Sequence, residues 1–257
     1  MSSLTIRSLA LATVAAAATA APAFAWVETF DNPVTLSNTQ AAGAWYTDRY
    51  APAGFTSPVF FDGDDRLQQS ISAADGASSR PGAYSSSFYN TQGRKYDLDS
   101  GVTTMSIDLF VGSDWGSTGR RMAGFWGTAF DGSNNIGGYP ILEFTSDGGV
   151  GRFRAWDVDT GNWLDLGLPT GFGYGQWYTL GISLSGGMAT YTVGDLSLSV
   201  NAATSVSLSN VILQGYNTQA GVSYDIYWDN LTSPVPAPGA LALLGMAGLA
   251  GSRRRRA

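Results

Sequence analysis

Apolar and polar residues alternate with a period of two along most of the chain between residues 26 and 232. In "TMSIDLFV", residues 104–111, every second residue is Met, Ile, Leu or Val, and those between are mostly polar. The same alternation recurs in "WYTLGISLSG", "MATYTVGD", "LSLSV" and "VSYDIYWDNLT". No segment of this body carries the apolar stripe of an amphipathic helix. The pattern therefore predicts a succession of short β-strands.

Turn residues separate these strands at intervals of about eight to twelve residues, the spacing expected of a sandwich or barrel. Hairpins are predicted at Asp159-Thr160-Gly161 and at Gly186-Gly187. With 44% hydrophobic residues in 257, the chain can bury one sizeable core. We therefore predict an all-β fold, a two-sheet antiparallel sandwich of the jelly-roll type, as one domain over residues 26–232.

The stretch "GQWYTLGISLSGGMATYTVGD" combines a Trp-led strand, a hairpin and an aromatic strand near the end of this domain. It resembles the laminin-G and concanavalin A-like group of proteins. The opening "WVETFD" and the closing "IYWDNL" fit a sandwich whose first and last strands pair. The resemblance implies a concanavalin A-like, lectin-like body.

The N-terminal 25 residues have the pattern of a secretory signal peptide. Arg7 provides a cationic start, an apolar run follows to about Ala20, and small residues stand at Ala23 and Ala25. The alternative is an amphipathic or membrane-spanning helix, but the run is shorter than the ~20 residues that a span requires. We expect a helical signal over 1–25, and cleavage after Ala25 that leaves Trp26 as the first residue.

The C-terminal end contains three short segments in a fixed order. A proline-rich linker occupies 233–238, an apolar helix without charges is predicted over 239–252, and an arginine cluster fills 253–257. As a helix the apolar run would reach about 20 Å, against about 30 Å for a bilayer core. The arginines would stay on the cytoplasmic side. The tail thus predicts a transient contact with the membrane.

This tail resembles the PEP-CTERM sorting signals of bacteria, in which a proline motif, an apolar helix and terminal arginines follow one another. Here Pro236-Ala237-Pro238 replaces the usual Pro-Glu-Pro, and the arginines are Arg253, Arg254, Arg255 and Arg256. The resemblance implies an exosortase-like membrane transpeptidase as partner, and delivery through the inner membrane to the envelope, cell surface or extracellular matrix. An uncleaved short tail anchor is the alternative.

Composition and charge exclude several functions. The chain has no His and no Cys, which rules out Ser-His-Asp and Cys-His catalysis, His- or thiolate-bound zinc and iron–sulfur centres. Five of the 14 basic residues, and none of the 20 acidic ones, lie in the two terminal segments. The body therefore has a net charge of −11 and is not expected to bind nucleic acid.

Two sets of side chains are candidates for ligand binding. Oxygen ligands at the two ends of the body predict a calcium site if the terminal strands are neighbours, with solvated strand-end carboxylates as the alternative. Exposed loop tryptophans with nearby arginines predict carbohydrate binding, with core packing as the alternative. The calcium candidates are Glu28, Asp31, Asp229 and Asn230, and the carbohydrate candidates are Trp115, Trp163, Arg120 and Arg121.

The positions of the carboxylates along the sequence argue against catalysis. Glycosidases need two of them about 5.5 to 9.5 Å apart. Glu28 and Glu143 are the only glutamates, and on a strand Asp147 would lie about 13 Å from Glu143. We therefore expect a non-enzymatic module that binds carbohydrate, for example the exopolysaccharide of the producing cell. A purely structural matrix component and a glycan-cleaving hydrolase remain alternatives.

Overall fold

A computed structural model describes residues 25–72, 82, 91–116, 121–202, 204–216 and 223–234. These residues belong to one compact unit, Phe24–Pro236. The predicted helices of the N-terminal signal and of the sorting segment lie outside the described residues. Within the described ranges, no helix has both the length and the apolar character needed to cross a membrane.

Over the described residues the chain forms 17 β-strands. The strands are β1 Ala25–Glu28, β2 Leu36–Ser37, β3 Trp45–Asp48, β4 Gly54–Phe61, β5 Asp64–Ile71, β6 Thr91–Asp97, β7 Thr104–Val111, β8 Met122–Phe130, β9 Ile136–Gly138, β10 Ile141–Thr145, β11 Arg152–Asp157, β12 Asn162–Gly167, β13 Gln176–Ser185, β14 Met188–Val193, β15 Leu196–Asn201, β16 Ser207–Tyr216 and β17 Tyr224–Pro234. A short 3₁₀ turn, Asp147–Gly149, follows β10.

The strands form two sheets, which confirms the predicted sandwich. The eight-stranded sheet has the order β15-β14-β13-β7-β17-β5-β4, and β1 pairs with β17. The nine-stranded sheet has the order β12-β11-β10-β8-β16-β6-β3-β2, and β9 pairs with β8. Among these described strands the pairings are antiparallel, except that of the two-residue strand β2 with β3. The terminal strands β1 and β17 are neighbours, as the sequence predicts, and Glu28 lies opposite Leu231.

Local sequence explains the strands and turns well. In β7 the residues Met105, Ile107, Leu109 and Val111 are fully buried, while the residues between them are partly exposed. The predicted hairpin between β13 and β14 turns at Gly186 and Gly187, both with positive φ. Because such turns require left-handed backbone, glycine favours this connection. The hairpin predicted at residues 159–161 connects β11 and β12.

The core lies between the sheets and contains a buried polar bridge. Gln69 on β5 donates to the carbonyl oxygen of Gln92 at 2.8 Å, and its amide oxygen accepts the Trp228 indole N–H at 3.0 Å. Gln69, Gln92 and Trp228 are all fully buried. Because buried polar groups are costly unless paired, this bridge ties β5 and β17 of one sheet to β6 of the other.

Candidate active site

The outer face of the nine-stranded sheet, opposite the core, holds the candidate site. Trp126, Ile141 and Ile212 form a separate apolar cluster there, since their strand neighbours point into the core. Two cavities of about 410 and about 620 Å³ open on this face. The first cavity is lined by Thr91, Met122, Trp126, Ile141, Glu143, Asp147, Arg154, Trp156, Trp163 and Tyr216.

Strand register places polar side chains in one row across the floor of this face. Gly124 of β8 is opposite both Gln214 of β16 and Glu143 of β10. Glu143 in turn is opposite Arg154 of β11. Because directly paired residues in a sheet project to the same side, the carboxylate and the guanidinium meet although 11 positions separate them in the chain.

Glu143 and Arg154 form the central ion pair of the first cavity. The Arg154 Nε and Nη2 atoms lie 2.7 and 2.6 Å from the same oxygen, Oε1 of Glu143. Glu143 is 1% exposed and Arg154 is 7% exposed. The Arg154 guanidinium also lies over the Trp163 ring, 4.0 Å from its centroid. A buried carboxylate is tolerated when a cation and hydrogen bonds compensate its charge, and this arrangement supplies both.

Indole rings form the walls of the same cavity. Trp156 and Trp163 pack edge to face with centroids 5.2 Å apart, and both are half-buried. Trp126 lies flat on the sheet because its neighbour Gly124 has no side chain. A Cβ at Gly124 would stand 2.3 Å from the Trp126 Nε1 atom. The cavity thus combines aromatic surfaces with a few fixed polar groups, as ligand sites generally do.

Asp48 organises the second cavity. It accepts hydrogen bonds from Gln214 at 2.7 Å and from Arg49 at 2.5 Å, and the Lys95 Nζ atom lies 3.6 Å away. The Arg49 guanidinium lies 5.1 Å from the centroid of the Trp126 ring, so a residue that lines the second cavity packs on one that lines the first. The cations that line the second cavity are therefore held by aromatic and carboxylate partners.

The Tyr46 hydroxyl faces the same second cavity and donates to Asp97 at 2.5 Å. Burial raises the pKa of Tyr46 above its ordinary value, and the hydrogen bond to Asp97 raises it further. Tyr46 therefore stays protonated and acts as a hydrogen-bond donor at neutral pH.

The expectation that Asp147 lies about 13 Å from Glu143 assumed a continuous strand, and the strand ends before Asp147. β10 ends at Thr145, and Asp147 begins the 3₁₀ turn in which Gly148 and Gly149 adopt positive φ. The rise of a strand therefore does not apply between the two carboxylates. Both residues line the first cavity.

The four carbohydrate candidates have different outcomes. Trp115 is 2% exposed and packs on Phe144 and Tyr224 in the core, so it is not the exposed platform that was expected. Arg121 is also buried, with its guanidinium over the Tyr224 ring and 3.4 Å from Asp114. Trp163 does line the first cavity. Arg120 lies outside the described residues.

The four calcium candidates have protein partners. Asp229 accepts hydrogen bonds from Arg66 and from Asn230, and the Asn230 amide also donates to Asp108 at 2.9 Å. Glu28 accepts the backbone N–H of Phe30, and Asp31 accepts the Thr29 hydroxyl. Burial raises the pKa of Asp229. Over the part of the chain that the structure describes, no group of three or more acidic residues is gathered for a metal ion. Calcium binding stays a prediction.

Sequence reasoning weighed Glu143 and set it aside, and it did not select Arg154 or Trp126 for the site. Trp126 lies in β8, whose sequence is mainly apolar, and Arg154 lies in β11, where charged and apolar residues are mixed. A signal was present, since "ILEFT" places Glu143 inside a run that is otherwise suited to a buried strand. A charge in such a run implies a partner or a site.

Comparisons with known proteins identify the fold. No protein-family model matches the chain, and no curated protein sequence matches it. Among solved structures, the β-glucanase of Bacillus licheniformis is similar with a TM-score of 0.50 at 11% identity, over 82% of this chain and 98% of that one. An endo-β-galactosidase from Clostridium perfringens that releases GlcNAcα1-4Gal has a TM-score of 0.54 at 11% identity, over 81% of this chain and 61% of that one.

A non-specific endo-β-1,3(4)-glucanase of family GH16 is also similar, with a TM-score of 0.50 at 14% identity, over 81% of this chain and 89% of that one. At these identities the similarity establishes the concanavalin A-like jelly-roll fold. It also contradicts the expectation of a non-enzymatic, lectin-like module, because the sandwiches that the body resembles are glycan-cleaving enzymes. The expectation assumed that Glu143 and Asp147 lie on one continuous strand, whereas Asp147 lies in a 3₁₀ turn after β10.

Proposed function

We propose that the sandwich is a glycan-cleaving hydrolase whose active site is the first cavity. The observation that carries the proposal is the buried carboxylate of Glu143, held by Arg154 on the floor of a cavity walled by tryptophans. A buried ion pair is costly to maintain in a fold and is weak evidence for stability alone. Its position in an aromatic cavity favours a role in binding and chemistry.

Glycoside hydrolysis sets clear requirements for such a site. The transition state resembles an oxocarbenium ion, so a nearby negative charge stabilises it, and a second carboxyl group must protonate the departing oxygen. The bonds from Arg154 favour the ionised form of Glu143, which suits it to stabilise the positive charge or to attack the sugar as a nucleophile. Asp147 is half-buried at the rim of the same cavity, and we assign it the proton transfer.

The aromatic walls would hold the sugar units beside these groups. Trp156 and Trp163 are half-buried, so part of each ring surface faces the cavity. Trp126 packs on a residue of the second cavity, where Tyr46, Lys95 and Asn210 present polar groups. A chain of several sugar units fits two adjoining cavities better than a monosaccharide does. From the names of the similar enzymes, β-glucans and β-galactans are the first substrates to test.

The test measures reducing ends released from polysaccharides by the unit Phe24–Pro236. The panel contains mixed-linkage β-1,3-1,4-glucan, β-1,3-glucan and a β-galactan. We expect release from at least one, and Glu143→Gln and Asp147→Asn should each lower kcat by about 10²- to 10⁴-fold. The matched control is Asp165→Asn, because Asp165 lies in the same row but outside the cavity, exposed and paired with Arg152. It should keep the activity of the unchanged protein.

Two results would reject the proposal. One is the absence of reducing ends from every polysaccharide although circular dichroism shows a folded protein. The other is a Glu143→Gln variant that retains full activity, because the chemistry then occurs elsewhere.

We also propose that this enzyme is exported and sorted by its C-terminal tail. The support is the order of segments in the sequence: a signal peptide, the folded body, Pro236-Ala237-Pro238, an apolar run and Arg253 to Arg256. An exported hydrolase would meet polysaccharide of the cell surface or matrix. Intact mass of the protein recovered from the producing cells tests the sorting step. Loss of residues 1–25 and of the arginine cluster is expected, and a mass that retains Arg253 to Arg256 would contradict it.

A further inference from the structure

We propose that strand β15 is a dimerisation edge, to which a second copy of the sandwich adds its own β15 in antiparallel register. β15 stands at one end of the eight-stranded sheet and pairs with β14. Among the strands that the structure describes, none lies on its other side. An edge strand offers unpaired backbone groups to any other strand, so proteins normally protect it.

The other ends of the two sheets carry such protection. β4 contains Pro58 and a register shift between Thr56 and Val59. β12 contains Asp165, and its ladder with β11 is irregular at Phe153. β2 has only two residues. Prolines, charges, bulges and short strands all oppose pairing between edges.

β15 has none of these features. Its sequence, "LSLSVN", is regular over six residues and contains neither a charge nor a proline. Ser197, Ser199 and Asn201 are exposed. The contrast with the other edges indicates that this one is left open.

The hairpin geometry shows which backbone groups are available. β14 and β15 are joined by the two-residue loop Gly194-Asp195, in which Gly194 has φ 57°, as a type II′ turn requires. In such a hairpin the flanking residues Val193 and Leu196 form a hydrogen-bonded pair, and bonded pairs then alternate along the ladder. The N–H and C=O groups of Ser197, Ser199 and Asn201 therefore point away from β14.

These outward groups are complementary to themselves under a two-fold axis. With Ser199 of each copy on the axis, Ser197 lies opposite Asn201 of the partner subunit, and every outward N–H and C=O of the three residues is paired. The even register keeps the faces aligned, so Leu198 meets Val200 of the partner subunit on the core side. Serine and asparagine remain on the outer side.

Symmetry favours a second copy over a different partner, and the strand itself introduces no charge clash. The body carries a net charge of −11, yet β15 itself contributes no charge, so no like charges meet within the paired strands. A two-fold axis uses the same patch on both subunits, which a palindromic match of this kind satisfies. The result is a continuous sheet across the two copies.

The first test is sedimentation equilibrium of the unit Phe24–Pro236 over a wide range of protein concentration. We expect a reversible rise from the monomer mass to twice that mass. Ser199→Lys would place two cations opposite each other on the axis and should leave only monomer. The matched control is Thr192→Lys, since Thr192 is exposed on the same face but lies on the interior strand β14. It should dimerise normally.

Cysteine cross-linking tests the register, because the chain contains no natural cysteine. The two Cα atoms of a hydrogen-bonded antiparallel pair lie about 5.5 Å apart, within the range of a disulfide. Mild oxidation should therefore join Ser199→Cys into a covalent dimer and leave Thr192→Cys monomeric. A protein that stays monomeric at every concentration overturns the proposal, as does a dimer that Ser199→Lys leaves intact. Neither readout depends on hydrolase activity.

Discussion

Arg154 donates to Glu143 through two nitrogen atoms that converge on a single carboxylate oxygen, Oε1. The pair joins neighbouring strands β10 and β11, and both side chains are at least nine-tenths buried. Because one partner cannot be removed without leaving the other charged and desolvated, this contact links the stability of the nine-stranded sheet to the proposed chemistry.

Arg154→Met should lower the free energy of unfolding by about 3 to 5 kcal/mol, because it leaves the Glu143 charge buried without a cation. Urea unfolding at pH 7 measures this loss. The control is Asp165→Asn, which removes the charge of the neighbouring and more exposed pair with Arg152 and should cost about 1 kcal/mol or less. Equal losses in the two variants would show that the buried pair contributes no more to stability than the exposed one.

Tyr224→Phe should destabilise the sandwich by about 1 to 3 kcal/mol, because its hydroxyl is shared by backbone groups of two strands in the opposite sheet. The hydroxyl lies 2.9 Å from the carbonyl oxygens of Met122 and Tyr216, and it accepts their N–H groups. Thermal or urea unfolding is the measurement. The matched control is Tyr227→Phe, which keeps the ring that stacks on Phe61 with the ring centroids 3.7 Å apart. It should change the free energy of unfolding by less than about 0.5 kcal/mol.

Gly124→Ala should reduce both stability and hydrolysis. The new methyl group would lie 2.3 Å from the Trp126 Nε1 atom, so the indole must leave the floor of the cavity. Overpacking of this kind costs about 1 to 3 kcal/mol. Gly132→Ala is the matched control, because a Cβ there meets no atom within 4 Å and the backbone is not left-handed. Trp fluorescence that is identical in both variants would contradict a displaced indole.

The free energy of unfolding should fall as the pH is lowered below about 4. Hydrogen bonds from the hydroxyl and N–H of Thr170 hold the pKa of Asp195 below its ordinary value. A carboxyl with a lowered pKa contributes stability that is complete above its unfolded value, about 3.9, and is lost as the pH falls toward its folded value.

Asp195→Asn should therefore reduce the loss of stability between pH 7 and pH 3, as measured by urea unfolding at both values. The pKa of the buried Asp229 is raised, so Asp229 changes the free energy of unfolding with pH in the opposite direction. Both proteins contain Asp229, so its effect cancels when they are compared. If the free energy of unfolding falls by the same amount between pH 7 and pH 3 in both proteins, the Thr170 contacts do not persist in solution.

Alternation predicted the strands best where one face is buried and the other is not. β7 and β14 have this character, and their burial follows the period of two. β8 and β10 are buried on almost every residue, because the core covers one face and the cluster of Trp126, Ile141 and Ile212, with other aromatic rings packed on it, covers the other. Alternation is weak in such strands and does not indicate which of their residues face the site.

The sequence by itself determined the two-sheet sandwich, its glycine-containing hairpins, the pairing of its terminal strands and the exclusion of His- and Cys-dependent chemistry. Tertiary structure alone decided that Trp115 is core while Trp163 lines a cavity. It also brought Glu143 to Arg154 and turned the chain at Asp147. The physical reason is that the period of side chains along a strand depends only on the local backbone. Strand order and register decide which residue lies opposite another across a ladder, and they also decide which face the second sheet covers.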